Sequence, residues 1–222
     1  MKTLFKSKLL RSSGVGSQFC KPTDLTQRFR KDERGVAAIE FAIIAPIMIA
    51  MYFGLAEIAS AISVDRRVSH STNVAGDLAT QTAEISGDDI EEVVSAALRV
   101  LDVPDISKVS MDIESFILPN AGEAPESRGR VRVNSAAGSF GSYDAAKLDS
   151  KILNENSGVV VTRLSYKYTP LKLRFMKTEM SLNETFLLKP RRSDAVQIQD
   201  GNGSVVDCKA TTFADVSCSV TN

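Results

Sequence analysis

Cys208 and Cys218 stand ten positions apart late in the sequence, while Cys20 stands alone in a basic stretch far from both. In an oxidising compartment the close pair closes a small loop, which a chain-entropy model values at about 3 kcal/mol. In a reducing compartment the same two residues remain free thiols. Two cysteines are too few ligands for a zinc site, and the single histidine, His70, is distant from them in sequence. With one histidine and no Trp, imidazole catalysis, His-based metal binding and base stacking lack their usual residues. The expectation is no catalytic residue, no metal and no cofactor.

Glu40 and Glu57 are the only charged residues between Gly35 and Val64. From Phe41 to Ala56 the run FAIIAPIMIAMYFGLA has none, and low polarity extends from Val36 to Val64. As a helix those 29 positions reach about 43 Å, more than the roughly 30 Å hydrocarbon core of a bilayer. A buried helix of a soluble protein rarely stays apolar on every face for that length, so the run reads as a membrane span. Glu40, near its start, costs a few kcal/mol there unless it reaches the interface or a partner. Glu57 lies close enough to the far interface to snorkel to the headgroups. Pro46 removes one helical hydrogen bond, which membrane helices tolerate when neighbours satisfy the freed backbone.

The chain as a whole is neutral, with 27 basic and 27 acidic residues, but the balance conceals three regions. Residues 1–34 hold nine Lys or Arg against three acids, and residues 65–222 hold 18 against 22. Arg28, Arg30, Lys31 and Arg34 precede the apolar run, whereas Asp65, Arg66 and Arg67 follow it with a smaller positive excess. The positive-inside rule keeps the basic head in the cytoplasm and sends residues 65–222 outside, where Cys208 and Cys218 can pair. Beside a span, a basic head serves topology and anionic lipid, so no nucleic-acid partner is expected. Ala59-Ser60-Ala61 mimics a secretory cleavage site, but the long head, the intruding Glu57 and helical patterning through the site argue against cutting there.

The segment Arg34-Gly35-Val36-Ala37-Ala38-Ile39-Glu40-Phe41 resembles a prepilin-peptidase site of the short Flp and Tad type. In that family a basic leader ends in Gly, and the mature chain carries Glu at its fifth position followed by an aromatic. The longer stretch ERGVAAIEFAIIAPIMIAMYFGLAEIASAISVDRRV is similar to the N-terminal signature of the TadE, TadF and TadG minor pseudopilins of tight-adherence pili. Tyr166-Lys167-Tyr168-Thr169-Pro170 and Pro190-Arg191 look like later elements of TadE-like proteins. The resemblance implies processing at Gly35 and Val36, and assembly through Glu40 and Phe41. A new Val36 amine would pair with Glu40 of a neighbouring subunit. It also implies as partners other Tad pseudopilins, inner-membrane assembly proteins, a prepilin peptidase and membrane lipid. The setting is a bacterial inner membrane, with the C-terminal domain in the periplasm.

Beyond the span, Val64, Val68, Ala75, Leu78, Thr82 and Ile85 recur on one helical face, which predicts that the helix continues to about Ser86. Asp88-Asp89 open a second helix through about Leu101, with Ile90, Val93, Val94, Ala97, Leu98 and Leu101 on its apolar side and Pro104 after its end. Strands are expected at about 108–118, 129–134, 158–168 and 178–188, as a meander. Residues 119–128 read as a loop, and 135–156 as a connection carrying a short helix around Ala145 to Leu153, placed for partner contacts. The fold class is α+β: a single N-terminal transmembrane helix continues into a pilin-like long helix packed on a small, mainly antiparallel sheet. The expected divisions are a cytoplasmic leader over 1–35, a transmembrane segment over 36–64 and an extracytoplasmic domain over 65–222.

Asp215-Val216-Ser217-Cys218-Ser219 matches the D-x-S-x-S pattern of metal-binding von Willebrand A domains. That pattern belongs after the first strand of a doubly wound domain, and only three residues follow it here, so no metal is expected. The rival to an assembling pseudopilin is an uncleaved signal anchor whose periplasmic domain captures a partner or ligand.

Overall fold

The run that begins at Val36 has no Gly, Asp or Asn to interrupt it before Gly54, and it folds as one helix, α1 (Val36–Ala79), with Pro46 inside it. The computed structural model describes residues 35–120, 122–148, 152–170, 179–199 and 203–221. The basic head expected over residues 1–34, with Cys20, Arg28, Arg30, Lys31 and Arg34, lies outside them. Two compact units are distinguished, Met1–Met51 and Tyr52–Asn222. The described part of the first unit is the opening of α1. None of its residues is buried.

Within the second unit α1 becomes one-sided. Glu57, Val68, Ser71, Thr72, Ala75, Gly76 and Ala79 are buried, and Ala61 and Val64 are partly covered by the same core. These positions recur at helical spacing on one face. The helix ends at Ala79 rather than near Ser86. Thr80 donates its hydroxyl to the Asp77 carbonyl at 2.9 Å, and the Gln81 N–H reaches the Leu78 carbonyl at 3.2 Å, tightening the last turn. The chain then forms β1 (Glu84–Ile85), parallel to β6 (Gln197–Ile198). Ile85 and Ile198 are both buried in this pair, so the apolar residue that continued the helical pattern is covered by a strand instead.

The second helix, α2 (Asp88–Leu101), has the expected bounds and buries the six residues of its apolar side. Asp88, Asp89 and Glu91 occupy its first turn, and Asp102 closes it in the left-handed region, its N–H donating to the Leu98 carbonyl.

The main sheet contains β2 (Val109–Leu118), β3 (Glu126–Val133), β4 (Ser157–Tyr168), β5 (Met180–Leu188), β7 (Val205–Ala210) and β8 (Val216–Thr221). Their order is β5-β4-β2-β3-β7-β8, with every neighbouring pair antiparallel except β3–β7. The sheet is therefore mixed and is no simple meander: β4 crosses to the far side of β2, and β7 adds parallel to β3. The short helix expected from Ala145 to Leu153 is only a 3-10 turn, Ala145–Lys147, with the Asp144 side chain accepting from the Ala146 N–H.

Strand alternation gives the sheet two buried faces. Met111, Ile113, Val131, Val133, Val160, Leu164 and Val206 join α1 and α2 in the larger core. Phe116, Val159 and Val161 face the other way, beneath Leu148 and Leu153 of the long connection. Two glycines permit close approaches. A β-carbon built on Gly76 would stand 2.9 Å from Thr162 Oγ1 and closer still to Leu188 Cδ1. Gly129 has φ of 117°, and its β-carbon would lie 2.6 Å from the Ile198 carbonyl oxygen.

The parallel β3–β7 junction is held by an ion pair. Arg132 and Asp207 are register partners, and the guanidinium donates to both carboxylate oxygens, at 2.8 and 2.6 Å. Those bonds, with one from the Thr221 hydroxyl, hold the Asp207 carboxyl below its ordinary range against the opposing effect of partial burial. A carboxyl lowered in the folded state contributes stability that is present above its unfolded pKa and is lost as pH falls through its folded pKa. Asp207→Asn is expected to lower the thermal midpoint at about pH 7, with the difference from the parent shrinking toward about pH 2. Equal differences at both values, in paired melting curves, contradict this. Gly76→Val is expected to destabilise by about 1–3 kcal/mol through overpacking against Thr162 and Leu188, measured by denaturant unfolding.

Candidate functional site

Gly35 immediately precedes α1, and none of the described residues lies within 4 Å of a β-carbon built on it, so packing against them does not demand glycine there. Val36 is the first residue of the helix and is exposed, as are Glu40 and Phe41 in the next turn. Ile39, Phe41, Ile43, Ile49 and Met51 are all more than half exposed and point around the full circumference. A folded protein in water rarely leaves so continuous an apolar surface uncovered. α1 is the one helix, among the described residues, long and apolar enough to cross a membrane by length and composition. Glu40 is the single charge on residues 36–56, near the helix start where a carboxylate favours the dipole.

Glu57 departs from expectation. Rather than reaching for headgroups it is 1% exposed, and neither carboxylate oxygen has a hydrogen-bond partner among the described residues. The cause is its phase: Glu57 shares a face with Ala61, Val64 and Val68, the stripe that packs on the core.

Cys208 and Cys218 are direct register partners on β7 and β8 and form a disulfide. The Cys218 N–H points away from β7 and donates to Glu91 Oε1 of α2 at 3.0 Å, which occupies part of the outer edge of β8. Asp215 accepts from the Thr211 hydroxyl in the β7–β8 turn. Ser217 and Ser219 follow on exposed β8 positions, so the D-x-S-x-S segment is a hairpin. Among the described residues no group of three or more His, Cys, Asp or Glu is gathered for a metal ion.

A cluster that the sequence reading did not single out lies on the outer face of the sheet. Asp112 and Glu114 of β2 are buried against Arg130 of β3 and Arg163 of β4. Arg130 Nε donates to Asp112 Oδ1 at 2.5 Å, and Arg163 Nε to Asp112 Oδ2 at 3.1 Å. The two guanidinium groups also donate to the Phe140 and Gly141 carbonyls, while Ser142 Oγ and the Tyr143 N–H donate to Glu114. Arg163 lies beside the Phe140 and Tyr143 rings, at 4.9 and 5.5 Å. Residues 140–143 of the connection expected to meet partners are thus tied to this cluster, while most of its described residues remain exposed. Acids and bases alternating at period two, Asp112 with Glu114 and Arg130 with Arg132, were the available signal.

The exposed segment Gly35, Val36, Glu40 and Phe41 and the Cys208–Cys218 bridge are therefore separate features on different elements. No curated protein and no solved structure matches the chain. Residues 35–77, which are 43 of 222 and cover most of α1, match the family model described as TadE-like protein, and this supports an involvement in Tad pilus assembly in general.

Proposed function

We propose that the chain is a minor pseudopilin-like subunit of a Tad/Flp-type pilus assembly or related secretion machine, acting by assembly rather than catalysis. The observation that carries this reading is the surface of α1. Immediately after Gly35, residues 36–56 are apolar on every side and none is buried, with Glu40 as their single charge. Such a surface suits lipid and neighbouring helices. The TadE-like match falls on the same segment.

In this reading the basic head stays in the cytoplasm and the folded unit lies in the periplasm, an oxidising setting in which a Cys208–Cys218 bridge persists. A prepilin peptidase cuts after Gly35 and frees the Val36 amine. That amine and the Glu40 carboxylate carry opposite charges at the same membrane level, and pairing between adjacent subunits offsets the desolvation of both. Phe41 beside Glu40 supplies an apolar contact for the same neighbour. The partners are other Tad pseudopilins and inner-membrane assembly proteins.

Gly35→Val is expected to leave full-length precursor in the membrane, because the peptidase requires a small side chain at the scissile position. Mass determination of the parent's N-terminus, with the rest of the machine present, should give Val36. A parent that keeps residues 1–34 refutes processing and leaves an uncleaved signal anchor with a periplasmic binding domain.

Glu40→Ala removes a charge from an apolar segment, so membrane insertion should persist. Crosslinking to partner pseudopilins should fall by about tenfold, the effect of losing a pair worth roughly 1.4 kcal/mol. Unchanged crosslinking together with unchanged pilus number would reduce Glu40 to a residue that only reaches for headgroups.

A further inference from the structure

The face of α1 opposite its buried stripe changes from apolar to cationic along its length. Ala59, Ile62, Ser63, Arg66, Arg67 and His70 recur at helical spacing and, with Val100 of α2, line a shallow groove of about 590 Å³. Ile62 at its lower end is 48% exposed, and Ile58 on the preceding turn is 51% exposed. One turn further on, the same stripe presents two guanidinium groups and the chain's single imidazole.

The charges in this groove are unequally engaged. Arg67 donates to the Asp102 carbonyl at 2.9 Å and stands 3.6 Å from the Asp102 carboxylate, so its charge is partly balanced. Arg66 has neither a hydrogen-bond nor a salt-bridge partner among the described residues. Asp65 falls outside the stripe by its helical phase, which leaves the groove with a net positive character.

We propose that this groove binds an anionic phospholipid, with the headgroup phosphate against Arg66, Arg67 and His70 and the acyl region along Ala59 and Ile62. The assignment rests on the reading that α1 spans a membrane. The apolar lower half distinguishes a lipid from a free anion, because an inorganic phosphate has no use for Ile62. Long arginine side chains reach back toward the headgroup layer while their stems cover apolar surface, and interfacial cations attract anionic lipid. The bound lipid would fix the rotation of α1 about its own axis, since the groove occupies only one face.

The test uses the full chain in nanodiscs of phosphatidylcholine alone or mixed with phosphatidylglycerol, followed by native mass spectrometry. The parent should retain phosphatidylglycerol in preference to phosphatidylcholine. Arg66→Gln, which removes no partner among the described residues, should lower the retained fraction severalfold, and the Arg66→Gln, Arg67→Gln double variant by about tenfold or more. Equal retention of the two lipids by the parent overturns the proposal, as does parent-like retention by Arg66→Gln. Displacement of the retained lipid by millimolar inorganic phosphate overturns the lipid assignment in favour of a simple anion site. Alkaline carbonate extraction separates the two levels. A chain that carbonate releases from vesicles contradicts the membrane span itself, whereas one that resists extraction but shows no lipid preference contradicts only the groove. If the double variant loses protection of Cys208 and Cys218 from alkylation, the single variant decides.

Discussion

The close seating of α1 on the sheet at Gly76 is the constraint on which the rest of the second unit depends. A helix can approach β4 and β5 this nearly only if its contact face is small, and Ser71, Thr72, Ala75, Gly76 and Ala79 supply that face. Two of these residues carry hydroxyls into the core, but neither is orphaned. Ser71 donates to the Ala97 carbonyl of α2, and Thr72 back to the Val68 carbonyl of its own helix, both at 2.7 Å. The first of these bonds also fixes where α2 crosses. From there the Asp102 cap, the short β1 and its pairing with β6 follow as the means by which the chain leaves two packed helices and enters the sheet.

On the opposite face the problem is reversed, because four charges are brought out of water. Isolated buried ions cost several kcal/mol each, and a buried pair is favourable only when its remaining donors and acceptors are also satisfied. Here Asp112 and Glu114 balance Arg130 and Arg163, and the leftover guanidinium hydrogens find the Phe140 and Gly141 carbonyls. The network specifies more than it stabilises. It pins residues 140–143 across three strands, and it fixes the β2–β4 register, since Asp112 faces Arg163 directly. Losing one member would strand its partner, whereas an apolar replacement of all four would keep the burial and lose the anchorage of the loop.

The parts of this fold legible in sequence are those governed by local periodicity. In α2 an apolar side at helical spacing, acids at the start and Pro104 beyond the end all agree, and the observed bounds and buried residues coincide with the expected ones. In β4, alternation from Val159 to Tyr168 marks the strand to within a residue. What was missed depends on partners distant in the chain. Ile85 fitted the phase of α1 until β6 offered it a parallel neighbour. VVDCKA and VSCSVT are too short and polar to be read as strands, yet β7 is held by β3 and by Arg132, and β8 by β7 and Glu91. Glu57 departs from expectation for a related reason: its position in the chain places it near an interface, but the phase it shares with Val68 turns it into the core.

That phase has a consequence for recognition on the proposed reading of α1. In lipid, apolar side chains gain little by exchanging acyl chains for a neighbouring helix, so selectivity between helices falls to polar groups and close packing. Residues 36–56 offer few polar groups. Glu40 is one, and the backbone at Pro46 is another, because a proline nitrogen cannot donate to the carbonyl four residues earlier, that of Ala42. Ala42 is two positions from Glu40, so a charged acceptor and a freed backbone acceptor lie at about the same level but on opposite sides of the helix. Both accept hydrogen bonds and neither donates. A neighbouring subunit that brings a protonated amine to this level, as a newly cut Val36 would, meets the charged acceptor, whereas a second uncut chain brings only an amide. Processing would then act as the step that makes one helix able to recognise the next.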